Sequence, residues 1–511
     1  MTPYDRIPFN DLSRIPPDQL EQVEAAVASV VKSGWFVMGP HHDAFERELA
    51  SYLGANEVVA VGNGTDALEL ALSAVGVTVG DSVLTVANAG GYSTVASRLL
   101  GATPFCFDVS PHTLLADPVS VRNAITANPV PPKALVVTHL YGAMAPVEAI
   151  VQVAREYGVA VVEDCAQSLG AHLNGKQSGT FGDIATTSFY PTKNLGAFGD
   201  GGAVFTDDAE LAGRVRRLRQ YGWTSKYRIG VAHGRNSRMD EIQAAILQVK
   251  LPYLDARNSR RREIHARYAA AVGGSARLLH GATNDFTAHL SVLVTDERDR
   301  VRKHLTAAGI DTDIHYPLPD HLQDFHPEVS EAIDLSVSEW AATAVLSLPV
   351  FPELTESEIS RIESALAVLC DQMADSPVYS DPRLVELEQF LDATGNLVVA
   401  EVAGQLPFVA KRVFMISGVP EGQPRGIHAH RECEQFLICV SGSVRAMVDN
   451  GDRSEVLLLN SPAAGLYMPA MTWGTQYDYS PDAVLIVLAS HVYDVDDYIH
   501  DYDEFLRATS E

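Results

Sequence analysis

The chain has 511 residues, 46% hydrophobic and 20% charged, with a formal net charge of -27. That length exceeds one hydrophobic core and predicts about three folding units at roughly 150 residues each, while the ordinary apolar content excludes a fibre or a disordered chain. The acidic balance excludes a nucleic-acid or anionic-membrane surface, since both need a basic face.

In chain order, the opening "MTPYDRIPFNDLSR" lacks a basic region followed by an apolar stretch, so it does not read as a signal peptide. No apolar run approaches the ~18 residues of a membrane span. The five cysteines form no CxxC pair and leave an odd number, which reads as reduced core thiols. A cytoplasmic protein is expected.

From about 57 to 206, short Val/Ala/Leu runs alternate with helical patterns, which predicts an α/β domain with a mostly parallel sheet covered on both faces. "GNGTDAL" (62–68) joins a strand to a helix through small residues, so the N–H groups of Gly64, Thr65 and Asp66 can face a phosphate; a plain helix cap has the same composition. "AVVEDCAQ" (160–167) puts Asp164 just past a buried strand, where α/β sheets bind ligands, although an acidic turn would read alike. "SFYPTKNLGAFGDGGA" (188–203) sets Lys193 among glycines, and Asn236 follows in "GRNSRMDEIQAA". A phosphate seat, a strand-end carboxylate and a lysine, in that order on one sheet, meet the needs of pyridoxal phosphate. Residues 207–272 are predicted largely helical, and a smaller α+β segment follows as far as Cys370.

Residues 1 to about 370 resemble the DegT/DnrJ/EryC1 family of sugar aminotransferases, of aspartate aminotransferase fold. The likeness runs through "GNGTDAL", "HLYG" (139–142), "EDCAQS", "SFYPTKNLGAFGDGGA", "NSRMDEIQAAIL", "IHYPLPDHLQ" and "SLPVFPEL". It implies that Lys193 bonds to the cofactor, Asp164 pairs with its pyridinium and Gln167 lies near its ring hydroxyl. It further implies that Gly64, Thr65 and Ser188 hold the phosphate, and that Asn236 reaches it from the second subunit of a dimer. A sister branch carries histidine in place of the lysine and dehydrates its substrate, so Lys193 favours transamination. The stretch "TVANAGGYST" departs from the family by placing Gly90 and Gly91 before Tyr92, the candidate for stacking on the ring.

"DQMADSPVYSDP" has no period and reads as a linker, 373–382. From 383 to about 492, short alternating stretches with frequent turns predict an all-β sandwich or barrel. In "RGIHAHRECEQF" (425–436), His428 and His430 alternate and so share one strand face, with Glu434 in phase. His, His and carboxylate could ligate a metal, as in cupins, but the later strand region "MPAMTWGTQYDY" offers Gly474 where a further histidine ligand is needed. Two histidines as mere core packing suit so polar a lining poorly. Acid/base chemistry suits them better, and no metal is expected.

Residues 395 to 505 resemble the cupin-type sugar 3,4-ketoisomerases that act on dTDP-4-keto-6-deoxyglucose, through "GNLVVAE", "PRGIHAH", "EQFLICVSGSVR", "SPAAGLYMP" and "VLASHVYDVDDYI". The resemblance implies His430 as the base at sugar carbon 3, His428 as its proton-relay partner and Arg425 as a substrate ligand. The expected architecture is thus an aminotransferase over 1–372, with a large domain at about 35–250 and a small one at about 251–372, followed by a jelly-roll cupin over 383–511. The expected reaction is isomerisation of dTDP-4-keto-6-deoxyglucose, then transamination at carbon 3 with glutamate as donor. Two alternatives stay open: a carbon-4 aminotransferase with a non-catalytic sugar-binding cupin, and a metal-dependent cupin of another class.

Overall fold

Val- and Ala-rich runs between 57 and 206 fit a pleated surface buried on both sides, and they form one seven-stranded sheet. Its strands are β1 (Glu57–Val61), β2 (Ser82–Val86), β3 (Thr103–Phe107), β4 (Pro132–Thr138), β5 (Ala160–Asp164), β6 (Ile184–Ser188) and β7 (Gly202–Thr206). They lie in the order β1-β7-β6-β5-β4-β2-β3, and only β7 runs against the rest. The computed structural model describes residues 6–272, 276–324, 333–374, 381–392, 395–399, 408, 410–495 and 497–510.

Successive side chains of each strand serve opposite faces. Val59, Val61, Val162 and Val204 pack with Leu68 and Leu72 of helix α1 (Gly64–Ala74) on one side. Val58, Ala60, Ala185 and Phe205 pack with Phe45 and Leu49 of helix Pro40–Leu53 on the other. One end of the sheet therefore gathers the carboxyl ends of β1, β4, β5 and β6, followed by Gly62, His139, Cys165 and Phe189.

Helices α2 (Glu241–Lys250) and α3 (Leu254–Ala271) lead to a small antiparallel sheet of β8 (Arg277–Leu278), β9 (Ser291–Val294) and β10 (Val345–Leu348). The predicted helical stretch 207–272 is broken between Arg219 and Asp240 by a short hairpin, Trp223–Ser225 with Arg228–Ile229. Gly222, just before the hairpin, has φ 69°, outside the right-handed helical region, so no helix runs through it, and an added Cβ there would lie 1.9 Å from the Val231 carbonyl oxygen.

The chain divides into two units, Met1–Cys370 and Asp371–Glu511. Helix Glu356–Ala374 reaches into the predicted linker 373–382, of which 375–380 lie outside the described residues.

The second unit is all-β. Its strands are β11 (Arg383–Glu386), β12 (Glu388–Asp392), β13 (Gly395–Val399), β14 (Arg412–Ser417), β15 (Arg425–His430), β16 (Gln435–Ser441), β17 (Val444–Asp449), β18 (Ser454–Leu459), β19 (Ala464–Met468), β20 (Trp473–Tyr477), β21 (Val484–Ala489) and β22 (Tyr498–Ile499). They build two five-stranded sheets, β11-β19-β16-β21-β14 and β18-β17-β20-β15-β22, with β12 and β13 paired apart. Leu437, Val444, Leu466 and Val487 form the core shared by strands of both sheets. A feature the strand reading omitted is helix α4 (Tyr502–Ser510), whose Phe505 packs on Ala429, Trp473 and Ile499. Among the described residues, no helix is long and apolar enough to cross a membrane.

Candidate active sites

The first site grows from the strand ends of the large sheet. Asn63 caps α1, its side-chain oxygen accepting from the Asp66 N–H at 2.8 Å. That cap takes the Asp66 N–H, one of the three expected to face a phosphate, and leaves the N–H groups of Gly64 and Thr65, which have no carbonyl partner within the helix, to suit an anion. Gly64 lies against Ser188: a Cβ on Gly64 would stand 2.7 Å from the Ser188 Cβ. The predicted phosphate residues Gly64 and Ser188 are therefore in contact, and Thr65 follows in the same turn.

Asp164, the last residue of β5, is 8% exposed, and its Oδ1 accepts from the Ala166 N–H at 3.1 Å. Burial pushes its pKa up, against the pull of that N–H, Lys193 and His139. Lys193 faces the same field. Burial of its amino group pushes the pKa down to about 8, and Asp164 is the charge that opposes the shift.

Gln167 is fixed at both ends of its amide. Its Oε1 accepts from the Tyr141 N–H at 2.6 Å and its Nε2 donates to the Tyr316 hydroxyl at 3.3 Å, while the Tyr141 hydroxyl donates to the His315 carbonyl at 2.9 Å. Three separate sequence motifs, HLYG, EDCAQS and IHYP, are thus tied into one wall.

Behind that wall the Ala145 N–H donates to His139 Nδ1, so the ring's other nitrogen carries the proton and donates to Glu163 Oε2 at 3.0 Å. Glu163 also accepts from the N–H groups of Gly179, Phe181 and Gly182. Burial alone would raise its pKa, but His139 and these amides outweigh it and hold the carboxylate ionised. The residue preceding Asp164 is thereby clamped.

The departure at Gly90 has a steric reason. An added Cβ there would come 2.8 Å from the Tyr316 ring, so Tyr316 occupies the space. Tyr92, half exposed, meets that ring edge-on at 6.2 Å. Asn236 is exposed, and its neighbour Arg235 pairs with Asp66 at 2.8 Å. The single chain brings together Gly64, Ser188, Asp164, Gln167 and Lys193 and leaves Asn236 at the surface.

This set fits pyridoxal phosphate. A side-chain-free anchor stands at a helix start, a buried carboxylate stands ready for a ring cation, and an enclosed lysine has its ammonium weakened. Lys193 must lose its proton to attack an aldehyde, and its pKa of about 8 sets where that happens. In protein stripped of cofactor, the rate of reloading is expected to rise with pH through about 8 and then level off, measured by the return of cofactor absorbance. A rate flat from pH 6 to 9 would contradict it.

The second site is a pocket of about 410 Å³ in the β unit, lined by His428, His430, Gln435, Gln476 and Tyr498, with Arg425 at its rim. His430 Nδ1 donates to Asp497 Oδ2 at 2.7 Å. A carboxylate can only accept, so Nδ1 holds the proton and Nε2 presents a lone pair, which the Gln435 amide approaches at 2.9 Å. The His428 ring lies 4.9 Å from that of His430, and Tyr498 lies 4.3 Å from His430.

Burial lowers the pKa of His430, with Asp497 pulling the other way; burial and the neighbouring His430 push His428 down to about 4. Both rings are neutral at pH 7. For Asp497 burial is the largest influence and upward, but the Glu432 N–H and His430 outweigh it and keep it ionised.

Glu434 departs from its expected place. The strand ends at His430 and the chain bends through 431–434, so the phase slips by one and Gln435, not Glu434, faces the pocket. Glu434 instead accepts from the Tyr467 hydroxyl at 2.7 Å. Cys433, His430 and Asp497 do offer ligand atoms within 4.8 Å of one another. Asp497 is already engaged, however, by His430 and by the Glu432 N–H at 2.7 Å. At the tryptophan strand, Gly474 pairs in register with His428, and a Cβ there would lie 2.6 Å from Met468 Cε. Asp497, Gln435 and Tyr498 were not singled out from sequence; "HVYDVDDYI" was the only signal that could have pointed to two of them.

Residues 17–367 match the DegT/DnrJ/EryC1/StrS aminotransferase family, and residues 380–510 match the FdtA family, described as WxcM-like, C-terminal. The chain is 41% identical over 362 residues to the dTDP-3-amino-3,6-dideoxy-alpha-D-galactopyranose transaminase of Aneurinibacillus thermoaerophilus, covering 70% of this chain and 98% of that one. It is 40% identical over 369 residues to the dTDP-3-amino-3,4,6-trideoxy-alpha-D-glucose transaminase of Streptomyces venezuelae, covering 71% and 95%. Among solved structures it resembles S. venezuelae DesV, with a TM-score of 0.68 at 39% identity over 72% of this chain and 99% of that one. It also resembles NtdA from Bacillus subtilis with bound cofactor PMP, with a TM-score of 0.66 at 30% identity over 72% and 86%. The chain belongs to the DegT/DnrJ/EryC1/StrS aminotransferase family and is a pyridoxal-phosphate-dependent sugar aminotransferase with an FdtA-like C-terminal domain.

Proposed function

We propose that the chain performs two consecutive steps: 3,4-ketoisomerisation of dTDP-4-keto-6-deoxyglucose in the C-terminal unit, then transamination of the 3-keto sugar in the N-terminal unit to dTDP-3-amino-3,6-dideoxyhexose, with glutamate as donor. The observation that carries this reading is the His430–Asp497 pair at 2.7 Å, whose imidazole lines the 410 Å³ pocket. It is acid/base machinery on the same chain as a sugar aminotransferase.

In the isomerase site, His430 Nε2 takes the proton from carbon 3 while Asp497 holds Nδ1–H and stabilises the imidazolium. The carbon-3 hydroxyl becomes the carbonyl, the carbon-4 carbonyl becomes a hydroxyl, and a proton returned to carbon 4 completes the exchange. His428, neutral and in ring contact with His430, is the relay, and Arg425 holds the substrate at the rim.

In the lysine site, Gly64, Thr65 and Ser188 seat the phosphate, with Gln167 beside the ring. Asp164 keeps the ring nitrogen protonated, and Lys193 is the proton carrier. The cofactor, when bound, supplies the electron sink and carries the amino group between donor and sugar. Asn236 reaches the phosphate from a second copy, so the active species is at least a dimer. Sedimentation should find no active monomer.

Incubation of the chain with dTDP-4-keto-6-deoxyglucose in deuterated water, without amino donor, should place deuterium on the sugar, and addition of glutamate should yield a 3-amino product by NMR. A 4-amino product without exchange would instead make the chain a carbon-4 aminotransferase with a non-catalytic cupin.

A further inference from the structure

A cavity of about 380 Å³ opens beside Lys193 in the N-terminal unit, lined by Arg14, Lys250, Arg257, Arg261, Asp11 and Glu353 among others. Two of its cations are already neutralised. Arg14 binds Glu358 at 2.8 Å and Asp11 at 3.0 Å, and Arg257 binds Glu353 at 2.6 Å. Besides Lys193, two further cations have no carboxylate in salt-bridge contact among the described residues: Arg261 donates to the Val350 carbonyl, and Lys250 donates to the Gly196 carbonyl with its ammonium 5.4 Å from the centre of the Phe198 ring.

Arg261 is 6% exposed, and its Nε–H is buried without a hydrogen-bond partner among the described residues. Burial, with Arg257 nearby, pushes Lys250 down to about 8 and Arg261 down to about 10, so Glu353 does not compensate either. An enclosed cation without a counter-charge is costly, and a second one beside it more so. The cavity has the charge, the free donor and the room for an anion.

We propose that this cavity binds a carboxylate and is where the acidic amino donor docks while its amine approaches Lys193; the proposal rests on the transaminase reading with glutamate as donor. Two anions visit such an enzyme, the donor's carboxylate and the sugar nucleotide's diphosphate. An amino acid carries a carboxylate on the same carbon as its amine, whereas the diphosphate hangs on sugar carbon 1, away from the reacting carbon 3. Lys193 itself lines this cavity, which favours the anion held close to the amine. The flat guanidinium of Arg261, with Nε–H free, suits a planar carboxylate.

The test uses the full chain loaded with cofactor and titrated calorimetrically with glutarate, a dicarboxylate that has no amine to transfer, and separately with dTDP. Lys250→Met should weaken glutarate binding by about 10- to 100-fold, the range for one charge-assisted hydrogen bond, and leave dTDP binding unchanged. Arg261→Gln should do the same; should it fail to fold, Lys250→Met carries the test alone. Glutarate affinity unmoved by Lys250→Met, absence of glutarate binding in the parent chain, or a parallel loss of dTDP binding would overturn the proposal. Failure of the donor reading shows separately, as glutarate binding by a parent chain that takes no amine from glutamate.

Discussion

Replacing Lys193 with alanine is expected to abolish amine transfer to the sugar and to remove the covalent cofactor band from the absorbance spectrum. The amino group is enclosed with Asp164 as its opposing charge, and its lowered pKa readies it both to attack an aldehyde and to move a proton. Proton transfer by a positioned group contributes typically ~10² to 10⁴ in rate, and loss of the covalent anchor adds to that. The same variant should still exchange the carbon-3 proton of the 4-keto sugar with deuterated water. Full transamination by Lys193→Ala would end the assignment of this lysine.

His430→Asn should have the opposite effect. Isomerisation should drop by ~10² to 10⁴, while the cofactor spectrum and amination of a supplied 3-keto sugar persist. The pH profile gives a further check. The His430 pKa lies below the ordinary value of 6.5, and Asp497 is held ionised, so Nε2 keeps its lone pair through neutral pH and loses it on acidification. Isomerisation should therefore stay level from pH 7 upward and fall below 6.5, followed as deuterium uptake. Asp497→Asn, which releases the tautomer, should lower the rate without emptying the pocket of substrate. A parental rate from His430→Asn at every pH would leave the cupin without its base.

Much of the first site was legible because its residues follow strand ends, and buried strands announce themselves as runs of Val and Ala. Asp164 and Ser188 close such runs, and Gly64 follows one, so a one-dimensional pattern sufficed to place them at one end of the sheet. Tyr141 and Tyr316 escaped notice because their roles rest on hydrogen bonds to Gln167 across 26 and 149 residues, which no local period encodes. The cupin pair was readable from alternation alone. Glu434 was misplaced because a bend after His430 resets the alternation, and alternation carries no mark of where a strand stops. Asp497 escaped because it lies 67 residues from His430 and meets it only through the pairing of β22 with β15.

That late-coming strand has a bearing on how the protein is made. A nascent chain folds from its N-terminal domain onward, so the large sheet with Lys193 can close while the β unit is still unfinished. Ala429 and His430 pair with Ile499 and Tyr498, and the carboxylate that orients His430 stands just before them. A polypeptide halted anywhere between 431 and 496 would display the whole HAH sequence, yet its imidazole would spin free of any fixed tautomer. Synthesis thus completes the two halves in the reverse of their proposed order of use, with the amine-transferring half ready first and the keto-shifting half last.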